Sequence, residues 1–158
     1  MTAQPSADAP VSEFAGQLLF RLWRASHTRA AAALETVGLT TALFALLNVI
    51  GARDGAIQQE LGAVLGVDPS TMVSLIDQLE SGGLAKRRPC PSDRRAREVA
   101  ITAEGRRRLE RARRKVSESE DEVLRGLTSE ERSELVTLLR RALASAPPQS
   151  LWSTAEGD

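Results

Sequence analysis

The sequence predicts a mainly α-helical domain that carries one small β-hairpin. Apolar residues recur at helical spacing along most of the chain, and the pattern changes to strand-like alternation only near residues 84–102. Aromatic residues make up 3% of the 158 residues and tyrosine is absent, so aliphatic side chains must form most of the core. This length suits one domain with extra helices at its ends.

The first part of the chain predicts a long terminal helix followed by a buried one. Residues 11–37 have the apolar spacing of a long amphipathic helix, which Gly38 ends. Thr40 can cap a second helix that runs to about Ile50. Because this second helix is apolar nearly all round, we expect it to lie at the centre of the domain.

The next segment has the spacing of a helix-turn-helix. A short helix ends at Gly66, which can adopt the positive φ of a tight turn, and Gly62 supplies a small residue where two helices would cross. Asp68 and Pro69 suit the N-cap and the first turn of the following helix. The apolar residues that we expect to face inward are Ile57, Leu61, Leu65, Met72, Leu75, Ile76 and Leu79.

The second helix of this pair would then present a surface of mostly small polar groups. Such groups near a helix N-terminus can approach phosphates and base edges, and the helix end itself favours an anion. Gln78 could read an adenine and Val73 could contact a thymine methyl group, although a merely solvated helix face is the alternative. The outward residues are Ser70, Thr71, Val73, Ser74, Asp77 and Gln78.

A strongly basic hairpin follows this helix. Its strands lie near 84–89 and 97–102, the second with Val99 and Ile101 alternating against Glu98 and Ala100. The formal net charge is zero, yet residues 84–115 hold 13 basic and 4 acidic residues, a net charge of +9 that the rest of the chain balances. A basic tip suits a wing that reaches into a minor groove, and a solvated charged loop is the alternative. The predicted DNA contacts here are Arg87, Arg94, Arg95 and Arg97, with Asp93 orienting an arginine.

Taken together, these residues resemble the multiple-antibiotic-resistance regulator (MarR) family of winged helix-turn-helix proteins. The resemblance covers roughly residues 11–146, and the Asp-x-Arg wing signature of that family falls on Asp93 and Arg95. The segments that carry it are 38–40, 60–61, 66–71, 77, 79–80, 83–84, 87–88, 93–95 and 101–105.

The resemblance implies a triangular homodimer that binds duplex DNA and regulates transcription, most commonly as a repressor. A recognition helix would enter each of two successive major grooves, the wings would enter minor grooves, and a small molecule or an oxidant would often be the signal. Family members often carry arginine at the positions of Ser74 and Gln78, which this chain does not. Specificity should therefore rest more on the wing and on DNA shape.

The helices at the two ends of the chain also predict a homodimer. Thr102 can cap a long helix and Thr128 a last one, and the winged domain offers the terminal helices little surface to pack on. Each apolar side chain left in water forgoes about 1.5–3 kcal/mol, which pairing with a second copy would recover. Two-fold symmetry then predicts a near-palindromic site with half-sites about 10 bp apart. The predicted organisation is a disordered segment 1–10, an N-terminal dimerisation helix 11–37, a winged helix-turn-helix domain 38–102, C-terminal dimerisation helices 103–146 and a flexible tail 147–158.

A ligand pocket and a redox site are weaker expectations. Trp23 and His27 lie one turn apart on the first helix, near the expected place of Phe44, where the resemblance implies a pocket for a small aromatic or anionic effector. Core packing of Trp23 and a surface position of His27 are the alternatives. Cys90 lies among arginines that could lower its thiol pKa, but a sensor would also need an exposed sulfur.

Other classes of function lack their sequence signals. The chain has no glycine-rich phosphate loop, no metal-spaced cluster and a single histidine, so we expect no enzyme activity, cofactor or metal. One cysteine, no secretory signal and no run of roughly 18 apolar residues predict a cytoplasmic protein with no membrane partner. A winged-helix protein-interaction module without a DNA target remains the alternative function.

Overall fold

The computed structural model describes residues 14–53, 55–90 and 97–145, and these form six helices and three strands. The helices are α1 (Ala15–Glu35), α2 (Thr41–Gly51), α3 (Gln58–Leu65), α4 (Pro69–Ser81), α5 (Ala103–Val123) and α6 (Ser129–Ala144). The strands are β1 (Ala56–Ile57), β2 (Ala85–Pro89) and β3 (Arg97–Ile101), which form an antiparallel sheet in the order β1-β3-β2. The predicted fold class, a winged helix-turn-helix between terminal helices, is therefore confirmed.

Short-range capping determines where most helices begin. A side-chain oxygen accepts a backbone N–H in the first turn of four helices, at Thr40, Asp68, Thr102 and Thr128. Gly66 ends α3 with a φ of 66°, the left-handed conformation that its lack of a Cβ allows. These boundaries agree with the predicted ones because each signal lies within a few residues of the helix end.

We call α2, α3, α4 and the three strands the winged lobe, and its core surrounds α2. This helix contacts α1, α3, α4, α5 and β3. Leu46, Leu47 and Ile50 on α2 are fully buried, which confirms that the apolar helix is the central one. The start of α5 lies against the lobe so closely that a Cβ added to Gly105 would lie 2.0 Å from the carbonyl oxygen of Leu84. Only glycine fits there without a backbone shift.

The two ends of the chain pack much less completely. α1 and α5 run antiparallel, because Val37 just beyond α1 accepts a hydrogen bond from Arg108 while Arg29 pairs with Glu122 at 2.5 Å. Leu34 alone is buried on α1, and no residue of α6 is buried. We call residues 14–28, which are the N-cap and first part of α1, and all of α6 the outer helices. Their large exposed apolar side chains include Phe14, Leu18, Leu19, Phe20, Trp23, Val136, Leu138 and Leu143.

The predictions for the start of α1 and for the start of α3 have different outcomes. α1 runs from Ala15 to Glu35 with Phe14 in an extended N-cap conformation, and residues 11–13 of the predicted helix 11–37 lie outside the described residues. Ile57, predicted as the first apolar residue of the short helix, instead pairs with Glu98 as part of β1. A two-residue strand is too short to show alternation in the sequence. The predicted disordered segment 1–10 and tail 147–158 lie outside the described residues.

The sequence alternation in β3 does not correspond to alternate burial. Glu98 and Ala100, which alternate with the apolar Val99 and Ile101, are buried together with them. β3 is the middle strand of the sheet and is covered on both faces, so the two-residue alternation does not separate inside from outside. The buried Glu98 carboxylate is paired with the guanidinium of Arg88.

Candidate nucleic-acid interface

Helix α4 separates an apolar inner face from an exposed outer face. Met72, Leu75, Ile76 and Leu79 are buried against the rest of the winged lobe, as predicted. This burial fixes which side of the helix meets solvent. The six residues of α4 that were predicted to contact DNA are all exposed, and they are Ser70, Thr71, Val73, Ser74, Asp77 and Gln78.

The N-terminus of α4 already holds an anion of its own. Asp68 accepts the backbone N–H groups of Ser70 and Thr71 at 2.9 and 3.0 Å, and both hydroxyls donate to the same carboxylate at 2.5 Å. The hydroxyl bonds of Ser70 and Thr71, followed by the backbone ones, lower the pKa of Asp68 well below its usual range. A phosphate expected at this helix end would therefore have to compete with Asp68, which already accepts its N–H groups. The two hydroxyl oxygens remain able to accept hydrogen bonds.

The predicted adenine-reading side chain is folded back onto its own helix. Gln78 donates from Nε2 to the backbone oxygen of Ser74 at 3.2 Å and to its hydroxyl at 3.3 Å. In the free protein these two outward side chains therefore satisfy each other. Reading a base with Gln78 would require its amide to leave Ser74, whereas the exposed methyl groups of Val73 need no such change.

The hairpin extends from the winged lobe beside α4. Strands β2 and β3 pair from Ala85 opposite Ile101 to Pro89 opposite Arg97, and the exposed Arg97 is the first described residue after the tip. The loop residues Asp93, Arg94 and Arg95 lie outside the described residues, so their predicted roles stay predictions.

An ion-pair cluster joins the hairpin to α4. Nη1 of Arg87 on β2 lies 2.7 Å from Oδ1 of Asp77 and also pairs with the carboxylate of Glu80. The backbone N–H of Arg87 donates to Oε1 of Glu80 at 2.7 Å. Burial works to lower the pKa of Arg87, and the hydrogen bonds to Asp77 and Glu80 outweigh it, so that pKa is raised. Two residues predicted to contact DNA, Arg87 and Asp77, therefore contact each other.

Sequence reasoning missed Glu80, and it predicted Asp68 as the N-cap without recognising that this carboxylate occupies the anion site of the helix end. Glu80 lies one helical turn after Asp77, and two carboxylates so spaced beside a basic strand are the signal that could have indicated the cluster. Gly62 has a different role from the one predicted. A Cβ added there would lie 3.4 Å from the backbone oxygen of Val67, so the contact is with the turn and not with the crossing helix.

The residues predicted for an effector pocket and for a redox site differ in how far they are buried. Trp23 and His27 stack, with ring centroids 5.1 Å apart, and Trp23 is 53% exposed, so it is not a core residue of this chain. Phe44 is half-buried and packs against the core of the winged lobe. Cys90 is buried, which removes the exposure that a redox sensor would need.

Metal-binding clusters and membrane spans are both absent from the described ranges. Across residues 14–53, 55–90 and 97–145, no group of three or more His, Cys, Asp or Glu side chains is arranged to hold a metal ion. Among the helices of the same ranges, none has the length and apolar character needed to cross a membrane.

The fold and the paired helix and hairpin define a winged helix-turn-helix protein, and comparisons with known proteins identify its family. Residues 37–96 match the model described as the MarR family. A protein of Thauera aromatica, named as a putative transcriptional regulatory protein for the hcr operon, is 34% identical over 131 residues, which are 80% of this chain and 79% of that protein. This chain belongs to the MarR family.

Solved structures of relatives have the same fold. CouR bound to a 23-mer DNA duplex superposes with a TM-score of 0.76 at 30% identity, over 89% of this chain and 99% of that one. CouR from Rhodococcus jostii RHA1 bound to p-coumaroyl-CoA gives 0.73 at 29% identity, over 87% and 97%. A mutant of MarR from E. coli complexed with operator DNA gives 0.70 at 28% identity, over 81% and 92%.

Proposed function

We propose that this protein is a cytoplasmic transcriptional repressor that binds a near-palindromic operator as a homodimer and is released by a small aromatic or anionic ligand. The observation that carries the proposal is the pairing of the exposed outer face of α4 with the basic hairpin on one side of the winged lobe. Its activity is binding, and no catalytic step is part of the proposal.

Relatives with the same fold support DNA as the partner. E. coli MarR and CouR, each about as similar to this chain as the other, are known in complex with operator DNA and with a 23-mer duplex. In this chain the α4 face supplies small polar groups for a major groove. Arg97 and the arginines predicted at the hairpin tip supply cations for the backbone and the minor groove.

The outer helices support a homodimer. Leu143 on α6 is 71% exposed, and residues 14–28 of α1 expose large apolar side chains along with Arg21 and Arg24. An apolar surface of this extent is typical of a protein interface. We propose a second copy of this chain as the partner, because two-fold pairing would bury the same apolar faces of both copies at once.

A salt titration on random-sequence duplex DNA tests DNA binding. We expect log K to fall linearly with log salt, by about 0.9 for each phosphate neutralised. The alternative function, a winged-helix module that binds only proteins, gives no such slope.

Light scattering tests the dimer. It should give twice the chain mass, and the mass of one chain in the presence of DNA would contradict the dimer.

Selection of bound sequences from random DNA tests operator recognition. We expect two inverted half-sites whose centres are about 10 bp apart, one for each recognition helix. Recovered sites without inverted symmetry would overturn the dimeric arrangement while leaving DNA binding itself intact.

The stacked Trp23 and His27 pair supports the ligand part of the proposal. CouR binds p-coumaroyl-CoA, which joins an aromatic acyl group to an anionic carrier. An aromatic acyl group would stack on Trp23, His27 would contact an anionic group, and Phe44 would complete the apolar wall. We expect p-coumaroyl-CoA or free p-coumarate to weaken the DNA complex of the wild type and not that of His27→Ala. Equal release in both proteins would remove His27 from the site.

A further inference from the structure

We infer that Arg87 is a positioning residue that fixes the hairpin to the recognition helix α4 through Asp77 and Glu80, and that it is not a phosphate contact. This inference rests on the proposed DNA-binding function, and it names how the two parts of that binding surface are kept in register. It reverses the role that the sequence alone predicts for Arg87 and Asp77.

The charge of the cluster disfavours a phosphate at Arg87. One guanidinium lies against two carboxylates, at 2.7 Å from Asp77 and in direct contact with Glu80, so the three side chains together carry a net charge of −1. A phosphate that approached Arg87 would therefore meet no net positive charge. It would also be repelled by the two carboxylates that already lie at Nη1.

The geometry of the cluster attaches a strand to a helix. Asp77 and Glu80 lie one turn apart on α4, and Arg87 lies on β2 opposite Val99, in the strand that leads to the hairpin tip. Arg87 holds Glu80 through both its guanidinium and its backbone N–H, so the strand itself is attached to the helix. Both carboxylates lie at one guanidinium nitrogen, Nη1, and the planar, pre-organised arginine head holds that nitrogen in a more fixed geometry than the flexible lysine ammonium would.

Exposure separates the members of the cluster. The Arg87 side chain is 26% exposed, whereas that of Asp77 is 57% exposed on the outer face of α4. A free carboxylate on that face would repel DNA phosphates. Arg87 therefore compensates the charge of Asp77 and also sets the distance between helix and hairpin. Arg97, on the next strand, is exposed and has no carboxylate partner within the described ranges, so it is the matched phosphate-contact candidate.

Two variants, Arg87→Met and Arg97→Met, distinguish a positioning residue from a phosphate contact. Affinity is measured against salt for Arg87→Met and Arg97→Met, on the selected operator and on random-sequence duplex. We expect Arg87→Met to weaken operator binding about tenfold, as for removal of a charged hydrogen-bond partner, with an unchanged salt slope. Binding to random duplex should weaken less, because both DNAs meet the uncompensated carboxylate of Asp77 but only the operator depends on the register of helix and hairpin. Arg97→Met should weaken binding to both DNAs alike and reduce the slope by about 0.9 for each phosphate that the variant no longer neutralises.

The direction in which Asp77→Ala changes DNA affinity gives a second test. If Asp77 acts only through its charge, its removal strengthens DNA binding, because a negative group leaves the DNA-facing surface. If it holds Arg87, its removal weakens operator binding, and the Asp77→Ala/Arg87→Met double variant is no weaker than Arg87→Met. Arg87→Lys keeps the charge and should recover only part of the affinity.

The outcomes separate the inference from the proposed function. A reduced salt slope in Arg87→Met, unchanged operator affinity, or tighter binding by Asp77→Ala would each overturn the positioning role while DNA binding stands. A wild type without salt-dependent binding would instead overturn the DNA-binding function and the inference with it. If Arg87→Met does not fold, as judged by its thermal unfolding, Asp77→Ala and Arg87→Lys decide the question.

Discussion

The winged lobe and the outer helices differ in where they find their packing partners. In the lobe, Leu46, Ile76 and Leu79 are fully buried by the chain's own elements. On the outer helices, Leu138 and Leu143 remain exposed although their spacing and size are those of core residues. Apolar side chains therefore stabilise the two regions in different ways. The lobe folds through contacts within one chain, whereas the outer helices need a second molecule to bury their surface.

The sharpest test of packing in the lobe is the contact between α5 and Leu84, which lies between α4 and β2. Gly105→Ala would place its Cβ 2.0 Å from the carbonyl oxygen of Leu84, and backbone cannot move aside as a flexible side chain can. We expect a loss of stability of at least about 1–3 kcal/mol, the range for overpacking a core, and more if the junction separates. Thermal unfolding measures it. Gly126→Ala is the matched control, because a Cβ on Gly126 meets nothing within 4 Å and its φ is not positive, so the variant should be about as stable as the wild type.

Truncating one apolar residue in each region tests the contrast directly. Ile76→Ala should lower the free energy of unfolding by about 2–5 kcal/mol, because it leaves a cavity in a fully packed core. Leu143→Ala should change the protein concentration at which dimers dissociate, with little effect on the packing of the lobe. Denaturant unfolding at several protein concentrations separates the two effects. If Leu143→Ala destabilised the protein equally at all concentrations, α6 would be packing within its own chain.

The same contrast explains what the sequence predicted and what it did not. The caps at Thr40, Asp68, Thr102 and Thr128 were predicted because each depends on residues within one turn. The outer face of α4 was predicted because burial of its inner face follows from helical spacing alone.

Features that depend on the assembled fold were missed. The burial of Glu98 requires knowing that β3 is a middle strand, and the exposure of Trp23 requires knowing how much of α1 lies beyond α5. The pairing of Arg87 with Asp77 and Glu80 depends on how β2 docks on α4. Spacing along the chain determines none of these three features.

The DNA-facing side of the lobe allows a comparison between helix and wing. We expect Arg95→Ala to lower operator affinity about tenfold or more, because an arginine bound to a base edge or a narrow groove is worth about 1–3 kcal/mol. Ser74→Ala should have a much smaller effect, since Ser74 already accepts a hydrogen bond from Gln78 in the free protein. Gel-shift titrations of the two variants against the same selected operator measure both, and the reverse order would show that specificity rests on the helix.

The smallest expected effect concerns acid stability at the start of α4. The folded-state pKa of Asp68 lies below its unfolded value, so its contribution to stability is complete above the unfolded pKa of about 3.9 and is lost as pH falls towards the folded pKa. Asp68→Asn keeps an acceptor for the N–H groups of Ser70 and Thr71 but cannot titrate. We therefore expect the unfolding temperatures of wild type and Asp68→Asn to differ most near neutral pH and to converge below about pH 4. Because Asp68 caps a helix of the lobe, this difference in unfolding temperature should not depend on protein concentration. A difference that changed with protein concentration would show that Asp68 contacts the second copy.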